Sequence, residues 1–135
     1  MGIKKQALLL VISLSILGCS TQTIARTKEE SDFRKYAMSI CIGSSFSVKS
    51  ISSDANTSAN SYHGNVDLIA YDKLRDLQKT WKVDGFKSKN GGKVNIARCI
   101  EFSESREVGL IFEQFNPCRN KESWLDADEY SIQCS

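Results

Sequence analysis

Val66-Asp67-Leu68-Ile69-Ala70-Tyr71-Asp72-Lys73-Leu74-Arg75-Asp76-Leu77-Gln78-Lys79-Thr80-Trp81 is the stretch whose reading decides the fold. Val66, Ile69, Ala70, Leu74, Leu77 and Trp81 recur three or four positions apart, while Asp72, Asp76 and Lys79 fall on other faces. The pattern predicts an amphipathic helix over residues 65–82, and its apolar stripe needs partners.

Partners of the same kind stand on both sides. Thr27 with Glu30 fits a capping box, and Phe33, Tyr36, Ala37, Ile40 and Cys41 follow at helical spacing, which predicts a helix over 28–46. Residues 44–61 turn to Ser, Asn, Asp and Thr. Here the expectation is a short helix over 54–63, capped by Asp54 and ended by Gly64. Further on, Ile96, Cys99, Ile100 and Ser103 share one face of a fourth helix. Val108, Ile111, Phe112 and Phe115 share one face of a fifth, which begins near Ser105 and stops at Asn116-Pro117. The run 122–130 reads as a short acidic helix. Strand alternation of useful length and internal repeats are both lacking, so the fold class is all-α, a small bundle of about five helices with short connections.

The first residues carry a different message. Lys4 and Lys5 precede an apolar run from Ala7 to Leu17, broken only by Ser13 and Ser15, and Gly18-Cys19-Ser20 follows. That is the layout of a secretion signal. The run is 11 residues long, short of the roughly 20 needed to span a bilayer as a helix. Ile16-Leu17-Gly18-Cys19 resembles the bacterial lipobox, in which the cysteine is acylated and becomes the mature N-terminus, although Leu17 is bulkier than usual there. The alternative is an ordinary cleavage site with an incidental cysteine. On the lipobox reading, residues 1–18 are a lipoprotein signal peptide, 19–27 a tether and 28–135 the folded domain. Ser20 rather than Asp after Cys19 implies a lipid anchor in the outer membrane, facing the periplasm.

With Cys19 assigned to lipid, Cys41, Cys99, Cys118 and Cys134 remain, an even number in a chain bound for an oxidising compartment. Of three possible pairings we favour Cys41 with Cys99, which joins two amphipathic helices, and Cys118 with Cys134, which brackets a short tail. A rival reading makes one cysteine a nucleophile with His63 as its base, the minimal equipment of a cysteine hydrolase. The even count and the turn-like run Ser61-Tyr62-His63-Gly64-Asn65 weigh against it. Metal binding has no better support, since the cysteines lack close paired spacing and there is one histidine. No arrangement looks catalytic, and none calls for a cofactor.

Charge narrows the partner class. Removing residues 1–18 takes Lys4 and Lys5 from 18 basic residues and none of the 16 acidic ones, leaving 16 against 16. A neutral domain is a poor nucleic-acid binder. Locally, residues 72–98 hold eight Lys or Arg against three Asp, while 122–129 hold four acids and no base. Within the basic stretch, Asp84, Gly85, Phe86, Lys87, Ser88, Lys89, Asn90, Gly91, Gly92 and Lys93 have three glycines, three lysines and no periodic apolar face. This is an exposed loop between helices, either a solubilising connector or a binding element presented on a scaffold. Composition alone favours the connector, and Phe86 leaves both open, because an aromatic on a polar loop either packs beneath it or inserts into a partner.

Taken together, residues 33 to about 112 resemble the immunity proteins that neutralise type VI secretion cell-wall amidases, the Tai immunity family and its relatives. The resemblance is carried by the aromatic helix reaching Ser39-Ile40-Cys41-Ile42, a small-residue segment opening with Asp54-Ala55, and a helix with Tyr71 and Leu74. A Gly/Lys/Asn loop and Val94-Asn95-Ile96-Ala97-Arg98-Cys99-Ile100-Glu101-Phe102 complete it. The resemblance implies an all-helical periplasmic inhibitor, not an enzyme, usually a homodimer, that binds a Cys/His peptidoglycan amidase and blocks its cleft with a protruding loop. By position, that loop is residues 84–93. The alternatives are a structural or adaptor envelope lipoprotein working through its charged poles, and an inhibitor of another wall hydrolase such as lysozyme.

Overall fold

A computed structural model describes residues 25–82 and 88–135. Cys19 and the signal segment, and Asp84, Gly85, Phe86 and Lys87 of the loop, lie outside the described residues. Six α-helices and two single 3-10 turns make up the fold, and there is no strand among the described residues.

The long helix α1 (Lys28–Ser45) is the axis of the molecule. It starts as its capping pattern predicts, with the Thr27 hydroxyl accepting the Glu30 N–H at 3.2 Å. Helix α2 (Lys49–Ser61) runs back along it: Ser52 donates to the Gly43 carbonyl at 2.9 Å near one end, and Asn65, just past the other, donates to Glu29. Helix α3 (Leu68–Thr80) lies parallel to α1, with Tyr71 against Phe33 and Tyr36, and Gln78 bonded to Ser44. Helix α4 (Asn95–Glu104) is antiparallel to α1. Asn95 meets Ser45, Cys99 is bonded to Cys41, and the Ser103 carbonyl accepts from Arg34. Helix α5 (Arg106–Gln114) follows from a shared cap at Ser105, and its Phe112 closes on Phe33.

The core is Phe33, Tyr36 and Ala37 of α1, Ala70, Tyr71 and Leu74 of α3, Cys99 and Phe102 of α4, and Val108 and Phe112 of α5, all at most 2% exposed. Cys41–Cys99 and Cys118–Cys134 are both disulfides, as the favoured pairing has it, each with Cα atoms 5.4 Å apart. In a chain-entropy account their separations of 58 and 16 residues are worth roughly 4 and 3 kcal/mol.

Four expectations need correction. Helix α2 begins at Lys49, not 54, so Asp54 sits mid-helix rather than at a cap. What makes this Ser-rich segment helical is packing: Ala55 and Ala59, one turn apart, are buried against α1. Gly43 faces this pair: a Cβ there would touch the Ala55 methyl at 3.6 Å and displace the exposed Asn56 side chain, whose Oδ1 would lie 2.9 Å away. Helix α3 starts three residues later than expected because the Asp67 carboxylate caps the Ile69 N–H at 2.8 Å. Ile69 is therefore 55% exposed, and Tyr71 takes the buried position. In α4 the bond to Cys41 orients Cys99 inward, so the buried face is Cys99, Phe102 and Ser103, while Ile96 and Ile100 face outward. The acidic tail is not one helix over 122–130. A 3-10 turn at Lys121–Ser123 is capped by Asn120, and α6 (Ala127–Gln133) is capped by Asp126, with Leu125 fully exposed between them. That tail is held by its disulfide, by Trp124 donating to the Pro117 carbonyl at 3.0 Å and by Tyr130 donating to the Cys118 carbonyl at 3.2 Å.

Two buried polar groups lock the end of the bundle where α1 begins. The Glu29 carboxylate, 2% exposed at residue level, accepts the Asn65 backbone and side-chain N–H groups and lies so close to Gly64 that a Cβ there would collide with it. The Tyr71 hydroxyl accepts the Gly64 N–H at 3.0 Å. Burial pushes the Tyr71 phenol above its ordinary 10.0, against the opposing pull of that N–H. A folded-state value raised above the unfolded one contributes stability that is present below about pH 10 and lost as pH rises through the folded value. Tyr71→Phe is expected to cost about 1 kcal/mol at neutral pH, because the Gly64 N–H loses its partner. The same variant should lose less stability on alkalinisation than the parent, as read by urea melts at neutral and alkaline pH.

Asp32 shifts the other way. Burial opposes its ionisation, but hydrogen bonds and charge from Lys28 and Lys35 outweigh burial and hold its carboxyl below its ordinary 3.8. Both lysine contacts are exposed, so the contribution to stability is small.

Candidate functional site at the loop before α4

Both stems of the expected binding loop are fixed to the same end of α1. On the incoming side, Gln78 donates to the Ser44 hydroxyl at 2.8 Å and Trp81 packs edge-on against Phe102, ring centroids 5.3 Å apart. On the outgoing side, the Asn95 side chain donates to the Ser45 carbonyl at 2.9 Å, and one turn later the Cys41–Cys99 bond clamps α4 to α1. Val94 occupies the cap position of α4 without a side-chain bond, and the Asn95 side chain is spent on the Ser45 carbonyl.

The described part of the loop is a turn. The Gly91 N–H donates to the Ser88 carbonyl at 3.1 Å, and the Asn90 N–H donates to the Ser88 hydroxyl at 3.2 Å. Gly91 has φ +72°, the left-handed region that disfavours side chains, so the glycine is required there. Lys89, Asn90, Gly91, Gly92 and Lys93 are exposed and Ser88 is half-buried. Among these residues the expectation of an exposed, glycine-bearing loop between helices fits what is seen.

Three cavities of about 450, 360 and 650 Å³ open around the loop base, and Lys93 lines all of them. The charged residues in their walls are Lys79, Lys93 and Arg98, with no carboxylate. Lys79 is paired with Asp76 at 2.9 Å and Arg75 with Asp72 at 2.8 Å, and Lys82, Lys89, Lys93 and Arg98 add exposed positive charge around the loop stems. The acidic tail lies at the other end of α1, where Asn65 bridges Glu29 and Glu129. The two charge-biased stretches therefore occupy opposite ends of one helix.

The reading of a thiol nucleophile based by His63 finds no geometry to support it. Cys41, Cys99, Cys118 and Cys134 are all consumed in disulfides. His63 stacks on Tyr71 at 4.1 Å, in the turn after α2 beside Glu29, at the far end from the loop. No group of three or more His, Cys, Asp or Glu among the described residues is placed to hold a metal ion. What the loop end offers is a set of open cavities whose charged wall residues are all cations.

The model of the Tai4 family, described as type VI secretion system amidase immunity protein, matches residues 31–112, more than half of the chain. The chain belongs to the Tai4 family. No curated protein matches it. The Tai4 match begins early in α1 and ends at Phe112 of α5, so it takes in the Cys41–Cys99 bond, both loop stems and every helix of the core. It leaves out the disulfide-closed tail that follows Pro117. The sequence resemblance to amidase immunity proteins is thereby established. Sequence reasoning missed Gln78, Ser44 and Asn95 as the residues that seat the loop, because polar side chains at helix ends carry no periodic signal.

Proposed function

We propose that this Tai4 protein is a periplasmic, lipid-anchored inhibitor that neutralises a type VI secreted peptidoglycan amidase by seating residues 84–93 in the enzyme's cleft. The observation that carries the reading is the loop's setting: an exposed turn requiring a left-handed glycine, held at both stems and contained in the family-matched segment. Residues 88–93, already held in a turn, lose little conformational freedom on docking, which favours affinity. A glycine-bearing backbone can also approach a narrow nucleophile cleft more closely than one with side chains. Inhibition by occlusion requires no chemistry from the inhibitor. On this reading residues 1–18 are removed, Cys19 carries the lipid and residues 19–27 are the tether.

Occlusion predicts competitive kinetics. Purified protein should raise the apparent KM of the amidase carried by the same type VI locus toward peptidoglycan fragments and leave kcat unchanged. Lys89→Glu with Asn90→Ala should weaken inhibition at least tenfold, about 1.4 kcal/mol, without altering the helical circular dichroism. A Cys19→Ala variant should inhibit equally well in solution yet leave the membrane fraction. Non-competitive inhibition, with kcat lowered and KM unaltered, would overturn the cleft-blocking mechanism, and absence of any binding to the amidase would overturn the reading as a whole.

A further inference from the structure

Beside the loop lies a surface that occlusion of a cleft does not use. The cavity of about 450 Å³ runs between the α1–α2 connection, with Phe46 and Val48, and the start of α4, with Lys93, Val94 and Ile96. Val48 is 52% and Ile96 48% exposed. One turn further along each helix, Ile51 at 40% and Ile100 at 44% continue the apolar character outward. Clustered exposed apolar side chains of this kind mark interaction surfaces. The cations around the groove, Lys93 with Arg98 in the adjoining cavity, face no carboxylate in its walls.

We propose that this groove is a second docking site for the amidase, taking an apolar segment of the enzyme's rim that is flanked by carboxylates. The inference rests on the reading of the loop as the amidase-binding element. Lys93 ends the loop and, with Val94, also forms one wall of the groove, so a body that grips the loop at this stem is brought against the groove. Charge selects this occupant over a second copy of the chain. A two-fold pairing through the same face would bring together two surfaces that carry Lys93 and Arg98 and no carboxylate in their cavity walls, and like charge across an interface is costly.

Calorimetric titration with the purified amidase of the same type VI locus, at low and high salt, tests the assignment. Val48→Glu with Ile96→Glu should weaken binding on the order of 100-fold, as loss of a pair of central apolar contacts does. Lys93→Glu with Arg98→Glu should weaken it about tenfold at low salt and reduce its salt dependence. Leu110→Glu, on exposed α5 surface away from these cavities, should change nothing. All substituted side chains are substantially exposed, and circular dichroism checks that each variant is folded.

Unchanged affinity of the Val48/Ile96 variant, with the loop variant still impaired, overturns the groove while leaving the loop reading intact. If the parent protein does not bind the amidase at all, the loop reading fails and the groove assignment fails with it. Sedimentation velocity supplies the remaining arm: loss of self-association in the Val48/Ile96 variant, with amidase affinity unaltered, gives the groove to a second copy and overturns the proposal.

Discussion

Replacing Cys41 and Cys99 together by alanine should lower the stability of the folded domain by about 4 kcal/mol, the value expected from releasing a loop of this length in the unfolded chain. Typical domains have only about 5–15 kcal/mol in all, so the variant should unfold at much lower urea and be partly unfolded near body temperature. The bond joins the last turns of α1 to the middle of α4, and Ser45 packs its hydroxyl 3.6 Å from the Cys99 sulfur. Its loss should also loosen the outgoing stem of the loop, because Asn95 sits one turn from Cys99. Inhibition should therefore weaken more than the loss of folded protein alone explains, which a titration on the folded fraction measures. The Cys118–Cys134 pair makes the useful contrast. Its chain-entropy value is not much smaller, but α6 contains no buried residue, so reducing it should free the tail and leave the core transition nearly where it was.

Phe33→Ala is expected to cost roughly 4 kcal/mol, the range for emptying a buried aromatic site. Phe33 is 1% exposed and sits where three helices meet, 5.4 Å from the Tyr71 ring of α3 and 5.7 Å from the Phe112 ring of α5. Neither neighbour can move into the space without abandoning its own contacts, since Tyr71 also holds the Gly64 N–H and packs on Tyr36. The cavity should persist rather than collapse. Leu110→Ala on the outer face of α5, where the side chain is 55% exposed, should shift the urea midpoint little. A comparable loss in both variants would show that the core is not organised around Phe33.

How much of this was legible beforehand depended on whether an element's stability is local. Helices α1 and α5 carry their own caps and apolar stripes, so Thr27 and Phe33, or Ser105 and Val108, announce them. Helix α2 carries neither. It forms because alanines at 55 and 59 fit beneath α1 across from Gly43, a long-range fit that no window of sequence contains. The α4 face was misjudged because periodicity alone cannot choose between Ile100 and Phe102 as the inward residue, whereas the bond from Cys99 to Cys41 can. The tail was read as one helix because its acidic composition hides two separate caps, Asn120 and Asp126. For the site, glycine content located the exposed turn, but its seating on Ser44 and Ser45 depends on contacts 34 and 50 residues apart.

The antiparallel relation of α1 and α4 has a bearing on reach. The chain enters α1 at Lys28, and the loop emerges beside Ser45 at the other end, 18 residues on. At 1.5 Å per residue that is a rigid spacer of roughly 27 Å. On the anchored reading proposed above, the loop therefore stands at the far end of that spacer from the point where the chain enters the domain.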